Sequence, residues 1–396
     1  MPSVPQGAGD RSLLRRINTH AALLRFRERP HTVSELAEQL GLSRTAVEDV
    51  VRDLVDLGWI VQLDEPARDA RPGRPAKSYR FAAESGHVIG VDIGVHKILC
   101  IVADLRGEPR SSRRAEVGEN APAQERLSLT DAVVRDCLRA ARLDMDDVWC
   151  AGIGSPGVIG KHGTVDRYGG NGLPGWIGLD LAAEFKARWG MPVHVDSDNN
   201  LGTMAEHWRG SARGARDVVY VLSGNRTSAG ILINGAIYRG HRGAAGLVGA
   251  LPQLGWAQAP AHVEALAGSG IEPAREAMFS AAREGNPLAL AALDGFAADL
   301  ATGLVAMALA VDPELIVLGG GVSRGGDVIL DAIRKHVERL HEHAPRLTLS
   351  SLGDESVALG AVKAALDSIE AGLLSAVETA PGFPPPSRTT FTKATT

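Results

Sequence analysis

Two sets of residues in this chain carry enough chemistry to start from. In VIGVDIGVHKILCIVADLRG, from Val88 to Gly107, Asp92, Gly94 and Lys97 cluster at the bend between two strand-like runs. A small residue that lets backbone amides approach an anion, next to a lysine, is the equipment of a phosphate-holding loop. In RTAVEDVVRDLVDLG, Arg44, Thr45, Glu48, Asp49 and Arg52 share the outward face at the start of an amphipathic run, with Ser43 just ahead of them. Long polar side chains on the first turns of such a helix can reach base edges in a major groove. Further on, ARDARPGRPA adds Arg71 and Arg74. In its Gly73-Arg74-Pro75 core the backbone stays slim and extended, so that an arginine can enter a narrow minor groove.

The second set needs a compact helical scaffold. Leu13, Leu14, Ile17, Ala21, Leu23 and Leu24 recur at helical spacing and the run stops at Pro30, which predicts a first helix with these residues on its apolar face. Thr32-Val33-Ser34-Glu35 has the form of a capping box, and Leu36, Ala37 and Leu40 give a short second helix one apolar face before Gly41. Ser43 is the natural N-cap of a third helix, with Val47, Val50, Leu54 and Leu57 facing inward and Gly58 closing it. WIVQLDE and KSYRFA then read as strands around the basic loop. Helix, capped helix, glycine turn, helix, strand, basic wing and strand define a winged helix-turn-helix.

Composition agrees with a soluble globular protein of 396 residues and sets limits on the chemistry. No apolar run looks long enough to span a bilayer and the N-terminus lacks a signal-peptide pattern, so a cytoplasmic location is expected. Cys100, Cys137 and Cys150 have neither CxxC spacing nor an even-numbered framework, so neither a disulfide scaffold nor a zinc cluster follows from them. Residues 1–81 carry 13 Lys+Arg against 11 Asp+Glu, whereas the remainder carries 29 against 36. A slightly basic head sits on an acidic body.

The first set needs a different scaffold. VVYVLSGNRTSAGILINGAIYRG, from Val218 to Gly240, repeats the strand, loop, strand and turn order of Val88 to Gly107. Later in each half, VWCAGIGSPGVIG and ELIVLGGGVSRGG are strands running into glycine-rich loops, each preceded by a predicted helix. Two αβ lobes with a cleft between them follow from this duplication.

The order DIGVHK, GIGSPG, LPGW, DSDNN, INGAIYRGHRGAAG, HVEALA, DPELIVLGGG and ALGAVKAAL, from roughly Gly86 to Ile369, resembles the ROK family of repressors, open reading frames and sugar kinases. The winged head is similar to that of the repressor branch. The resemblance implies an actin/hexokinase-like, RNase H-like body with ATP and sugar sites facing the cleft. Against the family's DIGGTK, Val95 and His96 replace Gly and Thr while Asp92, Gly94 and Lys97 remain. Against GTGIGAG stands the run from Gly224 to Gly230, with Arg226 where a glycine is expected. Gly319 and Gly320 complete the implied nucleotide set, which we read as vestigial.

On the sugar side the resemblance places Asp198 at the Asp of NDAN, where a kinase needs a base to take a hydroxyl proton. Capping of the following helix is its alternative role. Asn199 sits beside it, Asn171 is adjacent to the Asn position before LPGW, and Glu264 keeps the acid that ends the family's CxCGxxGCxE motif. The Glu and His of AGEIGH are replaced within Ala245 to Ala250, and the three zinc cysteines by Gly255, Ala257 and His262. One histidine cannot build a tetrahedral zinc site.

The expected fold is therefore α/β, with a winged helix-turn-helix over 1–83, a first lobe over 84–200 and a second over 201–354. A helix at about 355–376 packs back on the first lobe, and the Pro- and Thr-rich segment 377–396 has the composition of disorder. The expected function is a DNA-binding regulator, a repressor, with operator DNA and a sugar-like effector as partners, acting as a homodimer without metal or ATP. An ATP-dependent sugar kinase carrying a DNA-binding head is the alternative.

Overall fold

The computed structural model describes residues 7–64, 77–167, 173–224 and 226–388. The predicted wing, with Arg71 and Arg74, and the predicted ligand residue Asn171 lie outside the described residues.

The head comprises α1 (Gly7–Glu28), β1 (His31–Thr32), α2 (Val33–Leu40), α3 (Arg44–Leu57), β2 (Ile60–Gln62) and β3 (Ser78–Phe81). Its punctuation is local. The Thr32 hydroxyl accepts from the Glu35 amide while the Glu35 carboxylate accepts from Thr32 N, and Gly41 and Gly58 take the left-handed conformation that ends α2 and α3. The strands form a sheet in the order β1-β3-β2. The two-residue β1 carries no sequence pattern and was not expected. The face of α1 also differs from the expected one. Ala22, Leu23 and Phe26 are buried, whereas Leu14, Ile17 and Leu24 are exposed, because α1 must meet both the head and the body with one narrow stripe.

The first lobe runs through β4 (His87–Ile93), β5 (Lys97–Asp104), β6 (Pro109–Glu116), α4 (Ala123–Ala141), β7 (Val148–Ser155), β8 (Val158–Ile159), β9 (Val165–Arg167), α5 (Leu181–Trp189) and β10 (Val193–Ser197). From there α6 (Asp198–Arg209) leads into β11 (Val218–Ser223), β12 (Thr227–Ile233), β13 (Ala236–Ile237), α7 (Ala259–Glu264), α8 (Arg275–Arg283), α9 (Pro287–Val311), β14 (Leu315–Gly320), α10 (Asp327–Leu340) and β15 (Arg346–Leu349). The chain returns as α11 (Ser356–Thr379).

The two sheets have equivalent orders, β10-β7-β4-β5-β6 and β15-β14-β11-β12-β13, with the same parallel and antiparallel pairings. The duplication read from the sequence is thus a duplication of topology. Helix α11 lies directly on β4 and β7, where a side chain at Gly90 or Gly152 would collide with the helix backbone at Ala358 or Ala361. Helix α6 lies on the second sheet in the same manner at Gly230. Each lobe thereby hands one helix to the other.

Two expectations need correction. The described part of the segment after 377 is packed, not disordered. Trp59 Nε1 donates to Pro384 O at 2.7 Å, Phe383 meets the Trp59 ring edge-on, and Arg388 bonds Asp146 and the carbonyls of Trp189 and Gly190. Proline, poor in helix and sheet, suits an extended strap that helps to bury the Trp59 ring. In addition, α9 is long and apolar enough to cross a membrane by length and composition. Its buried residues, Phe296, Leu300 and Leu304 among them, instead fill the core of the second lobe.

Candidate nucleic-acid interface and effector cleft

In the head, Ser43 Oγ accepts from Ala46 N, so this predicted DNA contact serves first as the N-cap of α3. Arg44, Thr45, Glu48 and Arg52 are exposed and Asp49 is half-buried. Arg44 bonds Glu48 at 2.9 Å and Arg52 bonds Asp49 at 3.0 Å. Such exposed pairs are worth about 0.3–0.5 kcal/mol, so both guanidiniums can leave for phosphates or base edges at little cost.

The head is built into the body. His20 Nε2 and Arg27 both bond the Glu370 carboxylate of α11, Arg16 donates to Val377 O, and Arg106 donates to Phe26 O. Burial raises the Glu370 pKa, but the bonds from His20 and Arg27 outweigh it and hold the carboxyl below its ordinary range. Trp59 stacks on Phe81 and meets Trp149 of β7 edge-on, within one continuous core that runs from Leu36 to Leu373.

In the first glycine-bearing loop, Gly94 N donates to Lys97 O at 2.8 Å, and neither Gly94, Val95 nor His96 has a positive φ. Val95 is accommodated because the turn does not use the left-handed region. The carbonyls of Gly94 and Val95 are taken by the buried Arg126 of α4, at 2.7 and 3.1 Å. Lys97 Nζ lies 3.3 Å from Asp92 and donates to Asp354 O. In the second loop the guanidinium of Arg275, from α8, bonds Ser223 O and Gly224 O. Gly319 packs against the Tyr220 ring, leaving no room for a side chain, and Gly320 turns the chain with φ 72°. Sequence reasoning missed Arg126, Arg275 and Asp354. Their sequence surroundings are ordinary, and only the fold brings them to these loops.

Asp198 is half-buried at the first position of α6, and Ser197, not Asp198, occupies the N-cap. One Asp198 oxygen accepts from Asn199 N at 2.8 Å. Burial, with the nearby charge of Asp92 second, pushes its pKa up to about 7. Such a group can accept a hydroxyl proton or donate one near neutrality. Asn199, expected to meet ligand, has its amide engaged inside the fold. Its Oδ1 accepts from Ser197 Oγ, and its Nδ2 donates to Ala229 O of the second lobe, because a helix-start asparagine on this face meets β12. Glu264 is exposed at the end of α7. No hydrogen bond or ion pair among the described residues ties it to Asp198. His262 pairs with Asp299 at 2.9 Å, and a side chain at Gly255 would collide with Asp299 O, so these positions do not fit the family's zinc site.

A ROK family profile matches residues 88–254 and 256–368, and an IclR helix-turn-helix profile matches residues 22–64. A protein named putative xylose repressor from Caldicellulosiruptor sp. (strain Rt8B.4) is 23% identical, with 89% of this chain and 96% of that protein covered. A glucokinase from Streptomyces coelicolor is 29% identical over 64% of this chain and 88% of its own length. Among solved structures, a ROK family transcriptional regulator described as a homolog of the E. coli MLC protein aligns with TM-score 0.68 and 19% identity, covering 89% of this chain and 97% of its own. That likeness concerns the fold, and at 89% coverage it takes in part of the head as well as the body.

Proposed function

The chain belongs to the ROK family, and from that premise we propose that it is a DNA-binding transcriptional repressor of the cytoplasm. It acts as a homodimer on a paired operator, and its kinase-like body binds a sugar or related small molecule without transferring phosphate. The observation that carries this reading is the fusion of head and first lobe into one core, which makes the body's conformation a determinant of where α3 stands. The relatives named as repressors span head and body alike, which supports the same reading.

At the operator, Arg44, Thr45, Glu48 and Arg52 face the major groove and Arg71 and Arg74 the minor groove. Asp198 serves as the hydroxyl acceptor for the effector. An effector that binds open and closed lobes differently shifts their equilibrium, and α6 and α11 relay the change to Glu370 and α1. Neither zinc nor ATP is required.

Capture of sheared genomic fragments by the purified protein, followed by titration of the strongest fragment at defined salt, tests the reading. A shared inverted motif, released by particular sugars, is the expected result. Sequence-independent binding alone would remove it. A sugar kinase is the second reading, favoured by the Asp198 pKa near 7. Incubation with ATP and a sugar panel, with Asp198→Asn as control, decides it. Asp198-dependent sugar phosphate would put the kinase first.

A further inference from the structure

A cavity of about 390 Å³ lies where β10, α6 and α11 meet, and none of Asp92, Asp198 and the two glycine-bearing loops lines it. Its floor is apolar, made by Leu201 and Met204 of α6 and Ala364 of α11. Its walls are polar and come from both lobes. His194 and Asp196 project from β10, Arg239 reaches in from the segment after β13, and Asp367 and Ser368 come from α11.

The state of these groups says what the cavity accepts. Arg239 is already neutralised, since its Nε and Nη2 bond one oxygen of Asp196 at 2.9 and 2.7 Å. The other Asp196 oxygen accepts from Ser197 N and Asn200 Nδ2, both at 2.8 Å. That carboxylate is fully engaged, and it fixes the guanidinium in place. His194 differs, because its Nε2 is buried with no partner among the described residues. That atom is out of reach of an occupant, so His194 shapes the wall without offering the cavity a bond through Nε2. Among the described residues Asp367 pairs with Lys363 on its own helix alone and stays half exposed, so its carboxylate is open to another donor.

We propose that this cavity is a binding site for a small hydroxyl-rich molecule of monosaccharide size, neutral or bearing an amine. The volume lies at the small end of ligand pockets, which run from about 300 to 1,000 Å³. The apolar floor suits a sugar ring face, while Asp367, Ser368 and the remaining Arg239 N–H groups suit its hydroxyls. A phosphorylated ligand is excluded. The one cation among the lining residues is already paired, and the Asp367 carboxylate would oppose a second anion. An occupant touches both lobes through Asp196 and Arg239. It also touches α11 within one turn of Glu370, which holds α1 of the head. The site is separate from the Asp198 cleft and stands whether or not that cleft takes an effector.

The test is calorimetric titration of the full chain with glucosamine, glucose and glucose 6-phosphate at up to millimolar concentration. The proteins are the natural chain, Ala364→Trp, Asp367→Asn and Asp198→Asn, each checked for native circular dichroism. Saturable binding of glucosamine or glucose is expected. Asp198→Asn removes any binding at the cleft, and the saturable component that persists in it belongs to the cavity: Ala364→Trp should abolish that component, and Asp367→Asn should weaken it by about tenfold or more, as expected of a lost charged hydrogen bond. If Ala364→Trp does not fold, Asp367→Asn decides alone. Three results would each overturn the proposal: no saturable binding of either sugar, binding lost in Asp198→Asn but kept in the cavity variants, or glucose 6-phosphate binding as tightly as glucosamine.

Discussion

The two lobes share one strand order, yet they are finished differently. In the first, α4 and α5 cover one face of the sheet, while α11 and the head cover the other, so that Leu36, Trp59, Trp149 and Leu366 belong to a single core. In the second, α7 to α10 pack on one face, and α6 covers the other, over a smaller cluster around Tyr220. Equal topology therefore does not mean equal mechanical role. The first lobe is continuous with the DNA-binding head, and the second meets it through α6, α11 and a few polar bonds. A change in the angle between lobes reaches the head only through elements the first lobe owns or borrows.

The strongest way to break this comparison is Trp59→Ala. Trp59 is 2% exposed and bonds Pro384 O besides meeting Phe81, Trp149 and Phe383, and truncating such a residue costs about 3–5 kcal/mol. Scanning calorimetry should show head and first lobe losing stability together in one transition. A separate, smaller head transition moving alone would mean that the head is an independent domain.

Next in size is Asp198→Asn. The folded pKa of Asp198, about 7, lies above the ordinary 3.8, so the folded state binds the proton more tightly than the unfolded state does. The contribution of Asp198 is therefore fully present below 3.8 and is lost as pH rises through the folded value of about 7, above which no further change follows. The asparagine variant should be more stable than the natural chain at pH 8 by a few kcal/mol, with the gain vanishing near pH 4. Denaturant midpoints across that range check it, and a pH-independent difference would show that Asp198 is not held in this state.

Arg126→Leu and Arg275→Leu then compare the lobes directly. Each strips the donors from loop carbonyls, at about 1–3 kcal/mol, and chemical denaturation should show similar losses at the two sites. A neutral change at one of them would mean that its loop carbonyls are hydrated and that the two lobes do not share this support.

The smallest effect belongs to Glu370→Gln, about 1 kcal/mol because the site is partly solvated. The folded pKa of Glu370 lies below the ordinary 4.5. Its contribution is thus complete above 4.5 and is lost as pH falls through the folded value. The variant should differ from the natural chain at neutral pH and converge with it in acid, while operator binding by the variant reports whether the α1–α11 bond positions the head.

Much of the head was legible residue by residue. The capping box at Thr32 and Glu35, the N-cap at Ser43 and the glycine stops at Gly41 and Gly58 are bonds between neighbours in the chain, and each formed as read. The repeated hairpins were legible for the same reason, since alternation and turns are local. The sites were less so. Asp92 and Lys97 do meet, but Asn199 turned to Ala229, thirty residues away, and Asp198 left the cap to Ser197.

What the amino-acid order determined by itself is therefore the identity and sequence of the elements, because periodicity, caps and turns act within a few residues. Only the tertiary structure decided that the tail straps Trp59, that Glu370 holds α1, and that Arg126 and Arg275 take the loop carbonyls. Those contacts join residues separated by up to hundreds of positions. Their free energy depends on burial and geometry that exist only once the lobes, the head and α11 have closed on one another.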